Sequence, residues 1–358
     1  MVRHVAPSIV LVTGVSRFLG GHLAARLAAD PSIERVLGVD TVPPGPDLCS
    51  RMGRAEFIRA DIRNPLIARV IARADVDTVV HAALSPDPSG RWGSAAREMS
   101  VLGTMQLLAA CQKAPTVRRV VLESTTAVYG ASPLDPALFD ETMTPNDLPT
   151  AGYARDATEI EGYLRGFARR RADVSTTVLR FASLVGPRID TVVTRYFALP
   201  VVPTVLGYDA RLQLLHEEDA LAVLERAVAH DAPGLVNVAA DGVLLLSQAI
   251  RRAGRVPLPV PPPAVGLVGR ALATARVASF SPEQLRLLDF GRVVDTTRLR
   301  TAFGFTPRWT TVQAFDDFVR GRAFHPLAGR ERVEEAERLV DRGVHAAARL
   351  VAGLGRRA

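Results

Sequence analysis

The segment Thr13-Gly14-Val15-Ser16-Arg17-Phe18-Leu19-Gly20 joins an apolar β-branched run, Ser8 to Thr13, to a helical stretch, Gly20 to Ala29. A glycine-bearing turn in that setting suits one task, the cradling of a phosphate. The helix behind it offers backbone N–H groups without intrahelical partners and the positive end of its dipole. Gly14 permits the tight turn, and Gly20 lets the helix lie close on the strand. Asp40 ends a second apolar run 20 residues after Gly20, where a carboxylate can bind the hydroxyls of an adenosine ribose. Its charge would repel a 2′-phosphate, so NAD is favoured over NADP. Asp61, followed by Ile62, stands just beyond a third run and suits an adenine amine or a helix N-cap. His81-Ala82-Ala83 closes a fourth run with small residues that let a cofactor approach the sheet. Arg17 breaks the pattern: it holds the middle position of G-x-x-G-x-x-G, where glycine lets the backbone near the phosphates. Either the guanidinium pairs with the pyrophosphate or it fills the site.

The elements that must position these residues alternate short strands with helices, which reads as an α/β chain with a parallel sheet and crossover helices. Strands are expected over 8–13, 34–40, 55–60, 77–81, 119–123 and 175–180. Helices are expected over 20–29 and near 64–74, 94–112 and 152–171. Beyond Gly186-Pro187 the pattern loosens, leading to Gln213–His216, a helix near 218–230 and a short strand at 234–238. The stretch Val256 to Pro263 holds five prolines and cannot be regular helix. An apolar helix near 264–278 follows, and residues 326–358 read as an amphipathic helix with alternating charges, suited to a subunit contact.

Composition narrows the class. A chain of 358 residues, 48% apolar and 23% charged, can bury a core and more than one lobe. Cys49 and Cys111 are too few for a disulfide framework, no Cys/His/carboxylate cluster has metal-ligand spacing, and a reducing compartment is expected. No long apolar run suggests a membrane span or a signal peptide, so a cytoplasmic protein is expected. The net charge of +7 is scattered and aromatics are few, which does not describe a nucleic-acid surface. Lys113 is the sole lysine among 44 basic residues.

Together the marks resemble the extended short-chain dehydrogenase/reductases, the NAD-dependent epimerase/dehydratase family that includes UDP-glucose 4-epimerases. The resemblance runs over roughly residues 8–320. It rests on the turn, Asp40, Asp61 and His81, and on Ser124-Thr125-Thr126-Ala127-Val128-Tyr129-Gly130 and Tyr153. It continues through Arg180, Gly186-Pro187-Arg188, His216-Glu217-Glu218-Asp219, Asn237 and Asp295-Thr296-Thr297. It implies a doubly wound Rossmann domain over 1–187, rejoined by 213–252, with a smaller C-terminal substrate lobe from 188–212 and 253–325. It also implies a homodimer.

The family's chemistry uses a tyrosine as acid/base, a Ser/Thr hydroxyl at the reacting oxygen, and a lysine four residues after the tyrosine. By position Tyr153 is the tyrosine and Thr125 the hydroxyl, while the lysine position is Ala157. A lysine there shares a helix face with the tyrosine and lowers its pKa. Arg155 points to another side of the helix, Asp156 would raise the pKa, and Arg17 is the one cation that could come near. Further departures are Ser100 for asparagine, Phe181 for proline, and Leu212, beside Arg211, for a diphosphate-gripping arginine. Arg188 and Arg211 remain for an anionic substrate.

Three functions are therefore expected. The first is hydride transfer on a nucleotide-sugar or related alcohol, as in an epimerase, dehydratase or oxidoreductase. The second is a catalytically degenerate member serving as a dinucleotide sensor or scaffold. The third is a dehydrogenase of an apolar alcohol such as a sterol, for which the segment after Pro263 could line a greasy pocket or touch a membrane surface.

Overall fold

The structure is a computed structural model that describes residues 7–82, 97–132, 134–144, 149, 152–262 and 290–324. The first strands and helices are β1 (Ile9–Thr13), α1 (Phe18–Ala29), β2 (Arg35–Asp40), α2 (Pro46–Arg51), β3 (Glu56–Arg59), α3 (Leu66–Arg73) and β4 (Thr78–His81). A π-helical turn, Glu98–Leu102, leads into α4 (Gly103–Lys113), and β5 (Arg119–Thr125) runs into a 3-10 turn at Thr126–Tyr129. Then come α5 (Gly152–Arg170), β6 (Ser175–Phe181), β7 (Ser183–Val185), α6 (Val192–Ala198), β8 (Val201–Val205), β9 (Arg211–Leu212) and β10 (Leu214–His216). The remainder is α7 (Glu217–Ala229), β11 (Gly234–Val238), β12 (Leu244–Leu245), α8 (Leu246–Arg252), β13 (Val256–Val260), β14 (Gly291–Arg292), α9 (Thr297–Thr301) and α10 (Thr311–Gly321).

Seven strands form one sheet in the order β11-β6-β5-β4-β1-β2-β3, every pairing parallel. This is a doubly wound Rossmann sheet extended at one edge by β11. Its strands read as nearly continuous apolar runs because both faces are covered. In β1 the alternation is direct: Val10 and Val12 pack on the side of α1 and α7, Leu11 on the side of α3 and α4. The chain reverses direction across the sheet between β1 and β4, so a crevice opens at the carboxyl ends of those strands, beside Thr13 and His81.

A third apolar cluster gathers Val185, Tyr196, Phe197, Leu212, Leu214, Leu246, Phe315 and Phe318 outside the sheet's two layers. The proline-rich stretch turns out to be a strand, β13, paired in parallel with β8. Pro257 and Pro259 lie two apart, so both can turn the side without a donor away from the partner strand. The helices expected at 264–278 and 326–358 lie outside the described residues.

Candidate functional site

The turn after β1 has the geometry a phosphate cradle needs. Gly14 sits at φ 75°, a conformation that suits glycine, and its N–H donates to the Val39 carbonyl at 3.0 Å. A Cβ on Gly20 would stand 2.4 Å from the Gly14 oxygen, so only glycine lets α1 lie this close to β1. Arg17 is the N-cap of α1 with extended backbone, and its side chain does not cap the helix. The amides of Phe18 and Leu19 thus open the helix at the crevice, where an anion gains from both donors and dipole.

Asp40 braces this turn. Its Oδ2 accepts from the Ser16 amide at 3.0 Å and the Ser16 hydroxyl at 2.6 Å, and its Oδ1 from the Thr41 amide at 2.7 Å. A carboxylate has further lone pairs for ribose hydroxyls, and its charge disfavours a 2′-phosphate. Asp61 is gripped by Arg63, whose Nη2 lies 2.6 Å from Oδ2, and this pairing holds its pKa below the usual carboxylate range. Pro65, not Asp61, holds the N-cap position of α3, and the Asn64 Oδ1 just before it accepts from the Leu66 amide at 3.0 Å. Ile62 is buried against Gly103, and Ala82 is buried in the apolar layer with α1. Ala83 lies outside the described residues.

His81 is a buried tether. The Thr104 hydroxyl donates to the Ser100 carbonyl at 2.5 Å, so it accepts from His81 Nε2 at 2.7 Å. Nδ1 then accepts from the Thr13 hydroxyl at 2.7 Å. Burial pulls the His81 pKa down to about 4, so the ring is neutral and adds no charge to the crevice. These residues together fit a dinucleotide.

Next to the turn is a cavity of about 660 Å³ onto which Arg17, Glu123, Thr125 and Tyr153 all open. Tyr153 stands at the start of α5, hydrogen-bonded to the Thr125 hydroxyl at the end of β5. Burial pushes its phenol well above the usual tyrosine pKa and the Glu123 carboxylate adds to the rise, while the Thr125 bond and the Arg17 charge oppose it. Ala157 is fully buried in the apolar layer, one turn along α5. Arg155 is exposed, and Asp156 is buried against Arg97 at 3.2 Å. Among the described residues, Arg17 is the cation whose charge opposes the rise at Tyr153, the weakest of the four influences on that phenol.

A buried network fixes the end of β5. Glu161 Oε1 accepts from Ser124 Oγ at 2.6 Å and Arg180 Nε at 2.9 Å, and Oε2 from Arg180 Nη2 at 2.6 Å. Arg180 stacks over the Tyr129 ring at 4.7 Å, and the Tyr129 hydroxyl donates to Asn237 Oδ1 at 2.9 Å. Strand, helix and turn are thereby locked around Thr125.

The two arginines expected for substrate part company. Arg188 reaches the cavity rim, but its Nε lies 2.8 Å from the buried Glu217 carboxylate and its Nη2 pairs with Glu218. Arg211 is not in the cavity lining; its Nη1 donates to the Ala137 carbonyl at 3.1 Å. Sequence reasoning missed Glu123 and Arg292. Glu123 could have been found, since residues two apart on a strand share a face and Thr125 was already marked. Arg292 reaches the cavity through the β14–β9 pairing, which leaves no local signal. Among the described residues no group of His, Cys, Asp or Glu is arranged to hold a metal, and no helix is long and apolar enough to cross a membrane.

Comparison with known proteins agrees with the fold. The sequence profile of the NAD dependent epimerase/dehydratase family matches residues 10–239. The chain is 53% identical over 332 residues to an uncharacterized protein of Mycobacterium tuberculosis, covering 92% of this chain and 88% of that one. Among solved structures it resembles UDP-glucose 4-epimerase with UDP-glucose from Thermotoga maritima, with TM-score 0.68, 19% identity and coverage of 87% and 98% of the two chains. It also resembles UDP-glucuronic acid 4-epimerase from Bacillus cereus in complex with UDP-glucuronic acid and NAD, with TM-score 0.67, 18% identity and coverage of 88% and 99%. At these identities the structural likeness is one of fold.

Proposed function

This chain belongs to the NAD-dependent epimerase/dehydratase family, and we propose that it is an enzyme acting at a secondary alcohol or the matching ketone, on a nucleotide-sugar or related alcohol. Gly14, Phe18, Leu19 and Gly20 would hold the NAD pyrophosphate and Asp40 the adenosine ribose. NAD supplies the hydride acceptor or donor. The observation that carries the reading is the meeting of Tyr153, Thr125 and Arg17 on one cavity beside the turn.

In this proposal Thr125 orients the substrate oxygen. Tyr153 gives that oxygen a proton during ketone reduction and takes it back during alcohol oxidation. Its raised pKa keeps the phenol protonated near neutral pH, and the Arg17 charge opposes that rise without cancelling it. Arg17 so takes the part of the family's lysine, whose position Ala157 has surrendered to the apolar layer. The segments around the third apolar cluster would form the substrate lobe.

Tyr153→Phe should abolish NAD-dependent turnover while NAD still raises the melting temperature. Unchanged turnover would remove Tyr153 from the mechanism. A second reading, a dinucleotide-binding sensor or scaffold, is favoured by Ala157 and by the burial that keeps Tyr153 protonated. NAD stabilisation without turnover of any nucleotide-sugar or simple secondary alcohol would select it.

A further inference from the structure

We propose that the cavity beyond Tyr153 is an apolar subsite that takes a secondary alcohol or ketone with a hydrocarbon body, in preference to a nucleoside diphosphate sugar. The inference deepens the reading above and rests on it, since the same Thr125 and Tyr153 must meet the substrate oxygen.

Two sets of observations lead there. The first is the wall: Phe181, Leu184, Ile189, Val192, Val193 and Leu212 line the cavity from β6, β7, the segment that follows, α6 and β9. The cavity of about 660 Å³ takes in both the cofactor turn, through Ser16 to Leu19, and this apolar wall, so the subsite is the part of it beyond Tyr153. The second is the state of the cations. A diphosphate brings two negative charges that must be matched when they leave water. Arg188 is already matched by Glu217 and Glu218. Arg292 turns both Nε, at 2.8 Å, and Nη2 onto the Gly130 carbonyl, clasping β14 to the turn after β5. Arg211 is outside the lining. Arg17 stands at the turn with Tyr153, at the cofactor end. Glu123 adds a carboxylate to the same walls, while Asp190 is paired with Arg195 at 2.7 Å. Hydrocarbon is what these walls reward.

The test is calorimetric titration of the full chain, saturated with NAD, with a homologous series of straight-chain secondary alcohols and, separately, with UDP-glucose. Burying one methylene is worth about a fourfold gain in affinity. Affinity should climb about two- to fourfold with each added methylene until the pocket is full, and UDP-glucose should bind more weakly than the longer alcohols. Val192→Asp places a carboxylate at the first residue of α6, where the helix dipole accommodates it, and should weaken the longest alcohol about tenfold or more. Circular dichroism checks that this variant is folded. A flat alcohol series overturns the inference whether or not UDP-glucose binds. If NAD itself gives no heat and no thermal stabilisation, the functional reading falls as well, which separates the two failures.

Discussion

Arg17, the N-cap of α1, and Tyr153, in the first turn of α5, line one cavity, and the guanidinium charge opposes the rise that burial imposes on the phenol pKa. The two residues are 136 positions apart in the sequence. They meet because β1 and β5 lie on either side of β4, with their carboxyl ends at the same edge of the sheet.

Moving the cation tests its role. Arg17→Gly should cut turnover of a secondary alcohol at neutral pH by roughly 10²- to 10⁴-fold, the range of a general acid/base contribution. Arg17→Lys, which keeps a cation at the same place, should retain more of the activity than Arg17→Gly. Steady-state rates of the wild type and both variants decide it. Equal rates in wild type and Arg17→Gly would make the arginine a bystander.

Asp40 should set the choice of dinucleotide. Asp40→Ala removes acceptors for the ribose hydroxyls and for the Ser16 amide, so NAD affinity should fall roughly ten- to a hundredfold. NADP affinity should change less or improve, because the repelling charge is gone. Titrations with both nucleotides read the ratio, and an unaltered ratio would contradict the assignment.

The Glu161–Arg180 pair should matter to stability more than to binding. Both side chains are nearly inaccessible, at 2% and 10% exposure, so Glu161→Ala strands a buried charge. The cost should be about 3–5 kcal/mol, read by denaturant unfolding. Replacing both residues by leucine should cost less than the single change.

His81 should tie stability to acid. Its native pKa is about 4 against an ordinary 6.5, so the unfolded chain binds more protons between those values. The contribution is complete above pH 6.5 and is lost as the pH falls toward 4. Melting temperatures across that window should fall more steeply in the wild type than in His81→Gln. Parallel curves would contradict a buried neutral ring.

Much of this was legible in the chain itself. The cradle is a local device, so Gly14, Gly20 and the apolar runs on either side announce it, and the sheet follows from the alternation of runs and helices. Thr125 and Tyr153 were marked by the family's pattern, and the structure joins them by a hydrogen bond. What stayed hidden depends on contacts distant in sequence. Glu217 closes on Arg188 from 29 residues away, and nothing near Arg188 foretells it. The cavity's apolar walls are assembled from four elements and the chain between them, none of them distinctive alone. The prolines of 256–260 masked a strand, because strand propensity says little about a two-stranded ribbon with one open side.

The most direct measurement is the ionisation of Tyr153 itself, read as the ultraviolet difference titration of the wild type minus Tyr153→Phe, with NAD present. Repeated in the Arg17→Gly background, the phenol should stay protonated to a still higher pH. A midpoint indifferent to the loss of Arg17 would show that the cation does not act on the phenol, and the account of this site would fail.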